Sequence, residues 1–266
     1  MSEACVPVLL YHRVSNEISK ASRPLCVRTL AFENQMRLFK NLGFRSVTIE
    51  HVAEALQGKR TLPKRAVAIT FDDGYRDTYL SAYPILQKYG MRATVFLVSR
   101  LIGGTNEWDQ RLLSTRPVPL LSPAEIQEMS RQGIEFGSHS RTHPKLAGLI
   151  DDDLRQEVSG SRRDLEELLQ TEVKYFSYPH FSVDRRVERA VAAAGYVAAC
   201  GGVSLPAEPS VLRIKRIVVS HESPLVLLMQ MSGWFQEMRS NRVLRWGKNR
   251  IDPLRAVAGV FVGQRS

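Results

Sequence analysis

Residues 66–75 read AVAITFDDGY, and this stretch decides how the rest of the chain is read. An uncharged run from Ala66 to Phe71 reads as an apolar strand. It ends on two adjacent carboxylates, Asp72 and Asp73, followed by Gly74. Charges at the C-terminal end of such a strand lie at the mouth of a parallel α/β barrel, where active sites of that architecture are built. Adjacent side chains on extended backbone point to opposite sides, but a turn at Gly74 can swing both toward one site. Two close carboxylates repel unless a cation or a shared proton relieves them. A metal ligand beside a general base is one such arrangement. An ordinary helix N-cap with an acidic first turn is the other reading of Asp-Asp-Gly.

Outward from this strand, short β-like runs alternate with helical patterns. Further strands are expected at 6–11, 45–49, 93–98, 134–138, 174–178, 195–199 and 214–219. Phe32, Met36, Phe39 and Leu42 recur at helical spacing, as do Tyr79, Tyr83 and Leu86. Leu154, Val158, Leu165, Leu168 and Leu169 do the same. Ser122-Pro-Ala-Glu125 reads as a helix start with a capping box, and Gly133 as its stop. Strand–helix alternation argues for an α/β fold with a largely parallel sheet. Seven or eight such units fit a distorted (β/α) barrel.

The bulk properties fit this. The chain has 266 residues, 44% of them hydrophobic, which suffices for a sizeable core without disulfide or metal staples. Cys5, Cys26 and Cys200 are odd in number and far apart, so they form neither a disulfide scaffold nor a CxxC zinc ribbon. No run approaches the ~18 apolar residues of a membrane span. The first residues lack the basic start of a secretory signal, so a cytoplasmic, thiol-reduced protein is the expectation. The expected organisation is one catalytic domain over 1–248 and a basic tail over 249–266.

A second motif is Gly137-Ser-His139-Ser-Arg-Thr-His143. Two His four apart after an apolar strand can face one metal if the residues between them turn helically. Two structural histidines are the alternative. A set of two His and one carboxylate leaves coordination positions open for water and substrate.

Taken together, Thr70-Phe-Asp-Asp-Gly74 and His139-Ser-x-x-His143 resemble the polysaccharide deacetylases, the NodB-homology domain of carbohydrate esterase family four. Leu10-Tyr-His-Arg-Val14 and Phe176-Ser-Tyr-Pro-His180 extend the resemblance over roughly 6–219. It implies a deacetylase-type barrel, one divalent metal ion, usually Zn2+, and hydrolysis of N-acetyl groups on a hexosamine. By position, Asp73, His139 and His143 correspond to the metal ligands and Asp72 to the catalytic base. Tyr178, Pro179 and His180 correspond to the segment that holds the oxyanion and substrate.

The chain departs from the family pattern in two places. Where an Arg usually steadies the base, it has Ser177, and Arg216 is the expected substitute. The late Leu-x-His motif that supplies the general acid has no clear match. In the branch opening with Tyr-His-x-Val that histidine is permuted to the first strand, so His12 is preferred over His221. Trp108, in a long loop, can stack on a sugar or pack in the core. His51 reads as a surface or capping residue.

Charge adds a further expectation. The net charge is +10, and the segment from Arg239 onward alone carries seven basic residues and one acid, Asp252. No nucleic-acid motif accompanies it, so nucleic acid is not an expected partner. Leu227, Met231, Trp234, Phe235 and Met238 fall at helical spacing before it. They read either as packing residues or as the apolar face of a helix held weakly at an anionic membrane, which would put the enzyme on the inner membrane face. The function expected from the resemblance is de-N-acetylation of an N-acetylated glycan or glycolipid precursor. Deacylation of another acylated molecule or O-acetyl ester, and a catalytically silent carbohydrate-binding protein, are the alternatives.

Overall fold

All eight predicted strands form, most of them trimmed at the ends. In a computed structural model of the chain, which describes residues 6–18, 23–109, 117–202, 210–220 and 223–232, β1 spans Val8–Tyr11. A short pair follows, β2 (Arg13–Val14) and β3 (Cys26–Val27), then α1 (Thr29–Asn41), β4 (Arg45–Val47) and α2 (Ile49–Leu56). β5 occupies Ala66–Phe71, as predicted. After it come a π-helical turn (Thr78–Ala82), α3 (Tyr83–Tyr89), β6 (Thr94–Leu97), α4 (Pro123–Arg131) and β7 (Glu135–Ser138). The remainder is α5 (Asp151–Leu169), β8 (Tyr175–Ser177), α6 (Arg185–Ala193), β9 (Ala198–Cys200), β10 (Ile217–Val218) and α7 (Pro224–Met231).

Three local differences have physical causes. β9 starts three residues later than predicted because Gly195, at φ +88°, closes the preceding helix. The turn before α3 is π rather than α. Pro84, one residue into α3, has no N–H to donate and crowds the carbonyl four residues back, which favours a wider turn there. β2 and β3 are two residues each, too short for any periodic signal. The capping box forms as read: Ser122 Oγ accepts from Glu125 N–H at 3.3 Å, and Glu125 accepts from Ser122 N–H at 2.9 Å.

Every ladder between these strands is parallel. The sheet runs β10-β1-β5-β6-β7-β8-β9, with β4 added beside the start of β5. Its ends approach each other. Cys200 at the end of β9 bridges Ile214, and Gly201 N–H donates to Ile214 O at 2.9 Å. The result is a curled sheet of seven strands with helices outside, the distorted barrel expected from the sequence. Parallel pairing puts every strand's C-terminal end on one face. His12, Asp72, His139 and Tyr178 each follow directly on a strand, so they share that face.

Glu135 opens β7 on the opposite face. Its carboxylate accepts the N–H groups of Ile49 (3.0 Å) and Glu50 (3.2 Å) at the start of α2 and the hydroxyl of Thr94. Burial pushes the carboxyl up to about 7, against the pull of those bonds. The folded state therefore holds this proton more tightly than an unfolded Glu of pKa ~4.3, and the associated stability is lost as pH rises through about 7. Melting temperature should fall between about pH 5 and about pH 8 more steeply in the wild type than in Glu135→Gln, whose amide has no proton to release. Identical slopes would contradict this assignment.

Candidate active site

Asp72 continues the β1–β5 ladder, its N–H donating to Tyr11 O at 3.0 Å. The chain then turns through two left-handed residues, Asp73 at φ +73° and Gly74 at φ +71°. The second needs glycine: a Cβ there would lie 2.8 Å from the Leu97 side chain. Asp73 tolerates the conformation at some cost, and strain of this kind collects at functional sites. The turn divides the two carboxylates. Asp73 faces the histidines of the second motif, and Asp72 faces Arg216.

The His139–His143 segment is not helical, contrary to the condition set by its spacing. Ser140 (φ +64°) and His143 (φ +67°) are left-handed, and hydroxyls hold the loop instead of a helix ladder. Ser138 Oγ accepts Ser140 N–H at 3.3 Å, and Ser140 Oγ accepts His143 N–H at 3.0 Å. Glu157 on α5 takes the N–H groups of Arg141 and Thr142 at 2.8 and 2.9 Å. Arg141 forks onto Asp164, so these intervening residues anchor the loop to α5.

That loop brings three ligand atoms together. Asp73 Oδ1 lies 3.3 Å from His139 Nε2 and 3.2 Å from His143 Nε2, and the two nitrogens are 3.2 Å apart. Donors about 2.0–2.1 Å from one shared ion at tetrahedral angles would stand about 3.3–3.4 Å apart, so this triangle has the right size. All three residues are buried. His139 Nδ1 pairs with Ser177 O at 2.8 Å, which makes Nδ1 the protonated nitrogen and leaves the Nε2 lone pair free for an ion. The residues fit a divalent metal ion. Burial works to raise the Asp73 carboxyl, but the adjoining His139 and His143 hold it well below the usual carboxylate range.

Arg216 is fully buried and makes a two-pronged contact with Asp72, Nη1 to Oδ1 and Nη2 to Oδ2, both at 2.7 Å. Its remaining groups are also engaged: Nη2 donates to Ser177 Oγ (2.8 Å), Nη1 to Thr70 Oγ1 (3.2 Å) and Nε to Gly201 O (3.3 Å). Ser177 Oγ in turn donates to Asp72 Oδ2 at 3.1 Å. The guanidinium also lies over the Phe96 ring, 5.6 Å from its centroid. Burial pushes the Asp72 carboxyl up, and the Arg216 charge overrides it, so Asp72 stays ionised. Ser177, visible in sequence only as a departure, therefore completes the cradle that Arg216, the expected substitute, makes for Asp72. Thr70 gave no sequence signal for this contact.

The other expected site residues divide. His12, partly buried, lies within electrostatic reach of Asp73, Asp72, Arg216 and His139. Burial pushes its imidazole below the ordinary range, and the pull of Asp73 and Asp72 offsets only part of that. Tyr178 does not reach the site: its side chain is in the core with Oη donating to Leu212 O at 3.0 Å, and its N–H is bound to Cys200 O. Pro179 is buried, and His180, at φ +54°, packs edge-on against His143 with ring centroids 4.5 Å apart. Burial, then the neighbouring His143, push His180 down to about 4. His221 lies outside the described residues.

Trp108 stands 4.7 Å from the His143 ring, on the site and not in the core. Its placement is built. Tyr75 Oη donates to Asp109 Oδ2 at 3.0 Å, Asn106 Oδ1 accepts Val118 N–H at 2.7 Å, and Leu121 N–H donates to Gly74 O at 2.8 Å. His51 caps α2, accepting Thr48 N–H at 3.3 Å, as read. Cys26 and Cys200 are both buried.

The Asp72–Arg216 pair can be tested by stability. Arg216→Met strands a buried carboxylate and should cost roughly 3–5 kcal/mol in denaturant titration. Adding Asp72→Asn removes the stranded charge and should restore much of that loss. A cost below ~1 kcal/mol would mean that the pair behaves as a solvent-exposed one.

Comparison with known proteins bears on the family. Residues 59–199, just over half of the chain, match the family model described as polysaccharide deacetylase. The protein YxkH of Bacillus subtilis (strain 168) is 30% identical over 193 residues, 73% of this chain and 63% of that protein. A poly-beta-1,6-N-acetyl-D-glucosamine N-deacetylase of Staphylococcus aureus (strain N315) is 27% identical over 172 residues, 61% of this chain and 56% of that protein. The chain thus spans less than two thirds of the length of these curated relatives. The Streptococcus pyogenes deacetylase PplD, solved in complex with acetate, superimposes with a TM-score of 0.72 at 26% identity, over 85% of this chain and 98% of that one. BC0361, a polysaccharide deacetylase from Bacillus cereus, gives 0.70 at 25% identity, over 85% and 69%. A family match over this much of the chain, on the barrel and motifs described above, is decisive: the chain belongs to the polysaccharide deacetylases.

Proposed function

We propose that this protein is a metal-dependent hydrolase that removes N-acetyl groups from N-acetylhexosamine units of a glycan or lipid-linked glycan precursor. The observation that carries the reading is the division of two adjacent carboxylates. One converges with two histidine nitrogens on a single point, and the other is kept ionised beside it by a buried arginine. The S. aureus relative is named for acting on poly-beta-1,6-N-acetyl-D-glucosamine, which makes a β-1,6-linked oligomer of that sugar the first substrate to try.

Asp73, His139 and His143 would hold the ion, which when bound supplies an activated water and an electrophile for the amide carbonyl. Zn2+ suits two imidazoles and a carboxylate. Asp72 takes the proton of the attacking water, a role that needs the ionised form Arg216 maintains. His12 is assigned as the acid that gives the leaving amine its proton. Water adds to the carbonyl carbon, the C–N bond breaks, and acetate and a free amine leave. Trp108 and His180 flank His143 and give the sugar two aromatic edges to lie against.

Acetate release from a panel of N-acetylated oligosaccharides and lipid-linked sugars, with chelator and with added Zn2+, tests the reading. Turnover should appear with metal and vanish with chelator. His143→Ala should lose both ion and activity, and His12→Ala should bind the ion yet turn over slowly. Full activity of a metal-free His143→Ala protein would overturn the proposal. Release confined to O-acetyl esters would move it to the alternative substrate class.

A further inference from the structure

The apolar and basic residues expected to meet a membrane after α7, from Trp234 to Arg245, lie outside the described residues. At the barrel mouth, a different group of side chains is used by neither the ligand triad nor the base. Asp77 stands in the segment that follows β5, four residues after Asp73 and directly before the π-helical turn. An Asp at a helix start ordinarily accepts an N–H from its own first turn. Asp77 makes no such bond. Its two carboxylate oxygens turn instead to the chain after His12. Oδ2 accepts Arg13 Nε–H at 2.7 Å, and Oδ1 accepts Val14 N–H at 3.3 Å. Arg13 is buried, with its guanidinium over the Tyr75 ring, 5.5 Å from the centroid. A buried ion pair contributes little net stability against its desolvation cost, so the geometry it enforces is the more telling feature.

That geometry concerns His12. On its N-terminal side the chain is tied to the sheet: Leu10 O accepts Val219 N–H at 2.9 Å, and Tyr11 O accepts Asp72 N–H at 3.0 Å. On its C-terminal side the main sheet stops. β2 pairs with β3 over two residues, Arg13 with Cys26 and Val14 with Val27, and a pair that short is weak by itself. Asp77 supplies a second anchor there, and β2 packs against the π-helical turn. His12 is thus suspended between Tyr11 and Arg13, both bonded to one segment, Asp72 to Asp77. That segment carries the base at its start, a metal ligand next, and the anchor beside His12 at its end. It is itself fixed by Arg76, whose N–H donates to Pro119 O at 2.9 Å and whose Nε donates to Glu125 at 2.7 Å.

We propose that Arg13 and Asp77 are positioning residues that hold His12 where it can hand a proton to the leaving amine. The inference rests on the assignment of His12 as the acid under the proposed function. A general acid must lie within hydrogen-bond reach of the atom it protonates, and a displacement of about 1 Å costs on the order of 10²-fold. Arg13 and Asp77 act through His12 and touch no reacting atom. The ligand triad and the Arg216 cradle are bonded through other residues, so loosening the Arg13–Asp77 clasp leaves them in place.

Turnover of two acetyl substrates by the Zn2+-loaded full chain separates this role from a structural one. A β-1,6-linked N-acetylglucosamine oligomer releases an amine, which needs a proton to leave. 4-Nitrophenyl acetate releases a phenolate, which leaves without one. Asp77→Asn keeps the size and an acceptor oxygen and removes the charge. Arg13→Met combined with Asp77→Asn strands no charge and serves where the single variant folds poorly. Each should bind Zn2+ with the wild-type stoichiometry and keep a KM near that of the wild type. Each should lower kcat for the oligomer, relative to kcat for the ester, by about tenfold or more. On a His12→Ala background, Asp77→Asn should slow the oligomer no further, because residues that act as a unit do not add. A further loss on that background, or an equal loss on both substrates, would assign the pair a structural role and overturn the proposal. Wild-type turnover of the oligomer by both clasp variants would overturn it as well. The two readings fail separately. A silent His12→Ala removes the acid assignment and the clasp with it, whereas a slow His12→Ala beside unaffected clasp variants removes the clasp alone.

Discussion

Two buried carboxylates side by side are the constraint around which this site is built. At 2% and 4% exposure, Asp72 and Asp73 are shielded from the water that would otherwise screen their repulsion. The fold relieves them separately. Arg216 reaches Asp72 with a planar fork that a lysine could not reproduce, and its remaining N–H groups are satisfied by Ser177, Thr70 and Gly201. A buried ion pair repays its desolvation only with such complete bonding. Asp73 is relieved by the two histidines and, in the proposed holoenzyme, by the ion they would share. Under the proposed function this leaves one carboxylate free to accept a proton and commits the other to a ligand role.

This division depends on backbone geometry as much as on charge. The left-handed turn at Asp73 and Gly74 separates the two side chains, and left-handed residues recur at Ser140, His143, His180 and Phe181. They sit at the C-terminal ends of β5, β7 and β8, where the strands give way to loops. The sheet supplies rigid starting points, and the loops absorb the strain. Glu157 and Asp164 on α5, far from the reacting atoms in sequence, hold the histidine loop in its unusual shape.

Much of this was legible in the sequence, and the reasons are physical. Long apolar runs such as Ala66–Phe71 declare their strands because burial demands it, and the carboxylates at the end locate the mouth. Asp73, His139 and His143 were legible as residue types at motif spacing. The loop conformation joining the histidines was not, because spacing alone cannot distinguish a helical turn from two left-handed residues. Arg216 was identifiable only as a candidate. Its contact with Asp72 spans 144 residues of sequence and depends on β10 pairing with β1, a long-range fact that no local pattern encodes. Trp108 could be placed in a loop but not on His143. That position follows from the hydrogen bonds of Tyr75, Asn106 and Gly74 to the same loop. The motif assigned the segment from Tyr178 to His180 to the oxyanion and substrate but said nothing of where the Tyr178 side chain goes; its hydroxyl is bound to Leu212 O in the core.

Metal stoichiometry measured on paired variants reads out whether the adjacent carboxylates have different jobs. Asp72→Asn and Asp73→Asn are near-isosteric, and each removes one negative charge. Asp72→Asn should still bind one divalent ion per chain while turnover falls by ~10²-fold or more, and Asp73→Asn should bind the ion far more weakly. Loss of the ion from Asp72→Asn, with retention in Asp73→Asn, would contradict it and reverse the two roles.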